Sequence, residues 1–132
     1  MCFVLSNVFV HICYSGNLWG YRIMKVILTG NPASLGTAVG RPKIVHTEKD
    51  MLALKQGEVL VAEMTSPEYV PAMKRAVAII TERGGRTCHA AIVSRELGVP
   101  CIVGAEGAVE ILGKIIGVVT VKVEITGGEV LV

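Results

Sequence analysis

Gly84-Gly85-Arg86-Thr87-Cys88-His89-Ala90-Ala91-Ile92-Val93-Ser94-Arg95 decides how the rest of this chain is read. The paired glycines Gly84 and Gly85 allow a tight turn. His89 follows at once, and an apolar-periodic segment starts on it. Ala90, Ala91, Ile92, Val93, Arg95, Glu96 and Leu97 give the pattern of a short helix, closed by Gly98 with Pro100 beyond. His89 then stands at the helix N-terminus, where unpaired backbone N–H groups and the positive end of the dipole favour anions. An imidazole that carries a phosphoryl group gains from that placement. The first-turn donors around Ala90 face the added charge, and Arg86 shares it, with Arg83 and Arg95 as further candidates. Thr87 places a hydroxyl beside the imidazole. The competing reading is a helix capped by Thr87, with a histidine in its first turn.

The full run resembles the phosphohistidine signature of the PEP-utilising enzymes: Gly-Gly-x-Thr-x-His-Ala-Ala, two aliphatic residues, a small residue, then Arg. The resemblance continues through Glu96-Leu97-Gly98-Val99-Pro100 into Cys101-Ile102-Val103-Gly104. Upstream it takes in Gly57-Glu58-Val59-Leu60-Val61, Met64-Thr65-Ser66-Pro67, Met73-Lys74-Arg75-Ala76 and Ile79-Ile80-Thr81. Gly36, Ala38, Gly40, Lys43, Ile44 and Val45 keep the frame of a further family stretch. The chain departs from the family at Leu112-Gly113-Lys114-Ile115-Ile116-Gly117, which lacks the usual aspartate before the last hairpin. The resemblance implies an α/β domain of the swivelling β/β/α type, a single compact unit with the active histidine on a tip that faces its partners.

Reading outward by pattern gives the element order. Residues 26–29 suggest a strand, and Gly30-Asn31-Pro32 signals a turn. Residues 36–45 suggest a strand interrupted at Gly40-Arg41-Pro42. Thr47 can cap a helix over 48–55, with Asp50 giving half of a capping box. A strand is expected over 58–63, a helix over 67–75 with Pro67 at its first position and Pro71 limiting its regularity, and a buried strand over 76–81. Beyond the glycine turn come a strand at 100–104, a helix at 105–112 and two strands around Thr126-Gly127-Gly128. Strands alternating with short helices argue for a layered α/β fold. Residues 1–23 show no clear period and no basic n-region of a signal peptide. They read as a poorly defined leader with few core contacts, compatible with a start codon placed too early, and the mobile domain is expected over 24–132.

Composition narrows the function classes. A length of 132 residues suits one domain. The formal net charge is +2 and charged residues make up 18%. With no lysine-arginine block, neither nucleic acid nor a membrane surface is indicated as a partner. No apolar run reaches the ~18–20 residues of a membrane-spanning helix. The cysteines Cys2, Cys13, Cys88 and Cys101 form no Cys-x-x-Cys pair, and His11, His46 and His89 lack metal-ligand spacing, so no metal site is expected. Free thiols suit a reducing cytoplasm. A Cys88–His89 thiol–imidazole pair is the minor alternative, since sequence neighbours seldom point at each other.

Neutral imidazole is a good nucleophile near neutral pH, and phosphoryl transfer needs mainly positioning and charge stabilisation. A carrier therefore needs little else. The chain has no Gly-x-x-x-x-Gly-Lys-Ser/Thr loop. The resemblance implies that ATP and Mg2+ are bound by a partner and not by this chain. Those partners are an ATP-grasp nucleotide-binding protein, which phosphorylates His89, and a PEP/pyruvate-binding barrel, which receives the group. On this reading the chain is a phosphotransferase component of a PEP synthase or pyruvate phosphate dikinase-like system, inactive alone. The alternatives are a non-catalytic regulatory domain, like that attached to some pyruvate kinases, and a fragment of a larger enzyme. The resemblance also marks Thr87 as a residue that regulatory kinases modify in some family members.

Overall fold

The computed structural model describes residues 2–5, 8–15, 18–85 and 87–132, with side chains from Lys25 onward. Four short strands, β5 (Pro42–Ile44), β6 (Val59–Ala62), β7 (Ala78–Thr81) and β8 (Cys101–Val103), form the centre and run parallel. Every residue of β6, β7 and β8 is buried. That is why they read as continuous apolar runs: a parallel strand covered on both faces has no solvent side to mark with polar residues.

The alternation of side chains sorts these runs into two cores. Val59, Val61, Ala78, Ile80 and Ile102 point to one face, and Leu60, Ala62, Ile79, Cys101 and Val103 to the other. The first face packs on a second, antiparallel sheet of β4 (Gly36–Gly40), β9 (Val119–Glu124) and β10 (Gly127–Leu131), whose Val119, Val121, Val123 and Val130 point inward. The second face is covered by α1 (Glu48–Ala53), α2 (Val70–Arg75) and α3 (His89–Leu97). Each fully buried Ile, Leu or Val contributes about 1.5–3 kcal/mol. The result is the β/β/α layering expected from the sequence.

One long strand, β3 (Leu18–Ser34), joins the two sheets. Its residues Val26–Gly30 pair with β10, and from Asn31 it pairs with β8, with a register shift between Pro32 and Ser34. Gly30-Asn31-Pro32 therefore does not reverse the chain as the sequence suggested. It marks where β3 changes partner: proline has no N–H for a ladder, and Gly30 lies so close to the Ile102 side chain that a Cβ there would come within 2.5 Å of it.

Other expectations need smaller adjustments. Thr47 caps α1 with a complete capping box: Asp50 N donates to Thr47 Oγ1 at 3.4 Å, and the Asp50 carboxylate accepts from Thr47 N at 3.2 Å and His46 N at 3.1 Å. These bonds hold the exposed Asp50 carboxyl below its ordinary value. Their contribution is present above that ordinary value and is lost as pH falls through the depressed one. The helix expected over 67–75 is a 3-10 turn at Pro67–Tyr69 followed by α2, with Pro71 in the first turn of α2. The last helix, α4 (Ala108–Gly113), starts after Gly107 in left-handed conformation, three residues later than expected.

Before Met24, where no period was read, the described backbone is extended: β1 (Cys2–Leu5) pairs with β2 (Val8–Ser15), and β2 pairs with Leu18–Lys25 of β3. The side chains of Trp19 and Tyr21 lie outside the described residues. Both sheets pair with β3 from Lys25 onward. We therefore propose Met24 as the practical start of the domain. Removing residues 1–23 is expected to leave the thermal midpoint nearly unchanged, as scanning calorimetry would show. A loss of several kcal/mol would make the hairpin part of the fold.

Candidate functional site: a histidine at a helix N-terminus

The site is built by the loops that follow two neighbouring parallel strands. β6 and β7 pair in register, and their ladder continues past the strand ends through Glu82 N to Ala62 O at 3.1 Å and Arg83 N to Glu63 O at 2.9 Å. Thr81 Oγ1 donates to Arg83 O at 2.9 Å. Arg83 also pairs with the Glu63 carboxylate at 3.0 Å, an exposed ion pair of small energetic weight. The Gly84 turn is launched from this fixed base. Gly84 has φ +115°, and a Cβ there would lie 2.8 Å from Cys88 Sγ, so both backbone and space require glycine. At Gly85 neither condition applies; its carbonyl accepts Cys88 N at 3.1 Å and closes the turn.

α3 starts at His89, as the sequence indicated, and ends at Gly98 in left-handed conformation. Its N-cap is Cys88, and no side chain caps it. Thr87 is exposed in the turn and does not fill that role. Among the described residues, no side chain accepts from the first-turn N–H groups, the arrangement that suits an anionic acceptor. Ala90 and Ala91 are buried behind His89 against the helix-side core, while Ile92 is exposed. Cys88 packs partly into that core. Cys101 is buried beneath the helix, and burial pushes its thiol up to about 11, so it acts as a small apolar residue.

The His89 ring is tied down by a residue that sequence reasoning did not assign to the site. Thr65, buried in the loop after β6, places Oγ1 3.0 Å from His89 Nδ1. The two residues are 24 positions apart, and only the β6–β7 pairing brings them together. The available signal was Met64-Thr65-Ser66-Pro67, legible as family resemblance but not as a partner of histidine. The imidazole engages Thr65 through Nδ1, and the thiol–imidazole alternative has no hydrogen bond to support it.

Of the residues singled out in the sequence, Gly84, Gly85 and Thr87 lie in the loop, and His89 and Ala90 open the helix that follows it. Arg86 lies outside the described residues. Arg95 lies further along the same helix. It sits six residues along α3, about 9 Å down the axis at ~1.5 Å per residue, and its Nε donates to Ala33 O at 2.7 Å, fastening the helix to β3. The described carboxylates nearby are engaged: Glu63 with Arg83, and Glu82 with Val109 N at 2.8 Å. Among the described residues, no three His, Cys, Asp or Glu side chains cluster so as to hold a metal ion.

Comparison with known proteins follows the same lines. The family model "PEP-utilising enzyme, mobile domain" matches residues 54–127, which include Thr65 and the whole Gly84–Arg95 run. A probable phosphoenolpyruvate synthase of Archaeoglobus fulgidus is 53% identical over 88 residues, which are 67% of this chain and 12% of that protein. The phosphoenolpyruvate synthase of Pyrococcus furiosus is 54% identical over 84 residues, 64% of this chain and 10% of that protein. That of Escherichia coli is 46% identical over 86 residues, 65% and 11%. The chain thus spans about a tenth of the length of the relatives it matches. The glycine turn, the histidine and its helix lie within the matched segment, and the chain belongs to the family of PEP-utilising enzyme mobile domains.

Proposed function

We propose that this domain is a phosphoryl carrier and that His89 Nε2 is the atom that takes the group. The observation that carries the reading is the Thr65 Oγ1 to His89 Nδ1 contact of 3.0 Å. With the proton on Nδ1 and donated to Thr65, the lone pair resides on Nε2. Attack forms a P–N bond as the P–O bond to the departing nucleotide oxygen breaks. The ring is left cationic, its Nδ1–H still held by Thr65, and in that state it is a good leaving group for onward transfer. The uncapped first turn of α3 supplies N–H donors to the bound phosphoryl group.

ATP and Mg2+ chemistry then belongs to an ATP-grasp partner, and the acceptor, pyruvate, to a barrel partner, in a PEP synthase or dikinase-like system of the cytoplasm. The family resemblance supports this assignment. Arg86, next to Thr87 in the sequence, is the cation proposed to share the phosphoryl charge.

Thr65→Val is expected to slow phosphate uptake roughly 10- to 100-fold, because a freed ring loses its attack geometry. Thr65→Ser should restore most of the rate. Nitrogen–phosphorus correlation by NMR on the loaded chain should place phosphorus on Nε2; a signal on Nδ1 would sink the assignment. At Thr87, exposed in the same turn, a phosphate would add roughly −1.5 to −2 charges beside the site. Thr87→Glu is accordingly expected to slow uptake in the same assay, and an unchanged rate would count against regulation there.

A further inference from the structure

Three basic side chains line one groove at the end of the domain away from His89. Arg41, Lys43 and Lys55 border a depression of about 570 Å3, together with Val39, Val118 and Glu58. The groove lies at the N-terminal ends of β5 and β6, whereas Thr65 and His89 lie past the C-terminal ends of β6 and β7. The length of β6, about 13 Å at ~3.3 Å per residue, separates the two. Arg41 and Lys55 are exposed and Lys43 half-buried.

The charges in this groove are unbalanced. Among the described residues, none of the three cations takes part in a salt bridge. Glu58, the one carboxylate on the groove, has Oε1 occupied by Lys55 N at 2.7 Å. Asp50 and Lys43 meet only as charges, and the Asp50 carboxylate accepts its hydrogen bonds from His46 N and Thr47 N at the cap of α1. The backbone here is held close: Gly40 sits so near Gly57 O that a Cβ would come within 2.4 Å of it, and Gly57, at φ +92°, faces open space. A wide-open backbone turn between three cations leaves room for a ligand rather than for a side chain of the domain.

We propose that this groove binds a small phosphorylated anion, a polyphosphate or phosphate ester, at a site separate from His89. The volume falls in the range of small-molecule sites. One guanidinium fork and two ammonium point charges, spread over separate elements, match a ligand with several anionic oxygens. Val39 and Val118 provide the apolar walls. The inference does not depend on His89 being a carrier.

The test is titration of the full chain with inorganic triphosphate, followed by calorimetry and amide NMR. Shifts are expected at Gly40, Arg41, Lys43 and residues 55–58. The variant Arg41→Gln/Lys43→Gln/Lys55→Gln should bind at least tenfold more weakly. The charge-matched control Lys49→Gln/Lys74→Gln/Lys114→Gln, with exposed lysines elsewhere on the domain, should bind as the parent does. Shifts confined to the first turn of α3, or equal losses in both triple variants, would overturn the proposal. So would displacement of triphosphate by an acidic peptide of the same charge at equal concentration, which would make the groove a protein contact instead.

Discussion

A His89→Ala chain incubated with a candidate ATP-grasp partner, ATP and magnesium is expected to take up no phosphate, while the parent chain becomes labelled. The label should be lost in acid and survive alkali, as a P–N bond does. His46, the other described histidine, precedes α1 on the exposed surface, and its backbone N–H caps into Asp50. It has neither a Thr65 equivalent nor an open helix end of its own, so it should not substitute. The variant should keep its fold, because the loss is one partly exposed ring and one hydrogen bond, about 0.5–1.5 kcal/mol. Acid-labile phosphate on the folded variant, or none on the parent with any partner of the PEP-utilising family, would remove the carrier reading and favour the regulatory one.

The largest effect on stability is expected at Ile102. Its side chain is fully buried and lies flat against two glycines: a Cβ on Gly30 would come 2.5 Å from Ile102 Cγ2, and one on Gly128 2.6 Å from its Cγ1. Gly30 and Gly128 are register partners on β3 and β10, so Ile102 plugs the antiparallel sheet onto the parallel one. Ile102→Ala is expected to cost about 2–5 kcal/mol by denaturant unfolding. Gly128→Ala alone should cost about 1–3 kcal/mol through overpacking. The double variant should be less destabilised than the sum, with a coupling of about 0.5–3 kcal/mol, because the new methyl group enters space that Ile102 has vacated. Strictly additive losses would show that Ile102 and Gly128 do not share that space.

How much of this was legible in the sequence follows from the range over which each signal acts. The α3 helix was readable in full, since its start at His89, its apolar spacing and its Gly98 stop are all local. The buried strands were readable as apolar runs because parallel strands buried on both faces leave no alternation to decode. Thr65 was not readable as a site residue, since its partnership with His89 exists only once β6 and β7 lie side by side. The bond from Arg95 to Ala33 was likewise not readable, since it joins residues 62 positions apart that meet only once α3 lies on β3. The Gly30-Asn31-Pro32 signal was real yet ambiguous, because a break in one ladder and a reversal of the chain use the same residues.

The shared strand also fixes when the molecule can be finished. Lys25 and Val132 exchange backbone hydrogen bonds, N to O at 3.1 Å and back at 3.0 Å, so β3 is zipped to a residue more than a hundred positions further on. Pairings across such separations in sequence form slowly, since a large loop must close before any contact rewards it. During synthesis the parallel strands and their helices emerge and can collapse while β9 and β10 are still inside the ribosome. Until then β3 presents a bare edge along Val26–Gly30, and Ile102 has no roof. The antiparallel layer is thus the final act of folding, and its late arrival leaves that open edge as the stretch on which a nascent chain is most exposed to wrong partners.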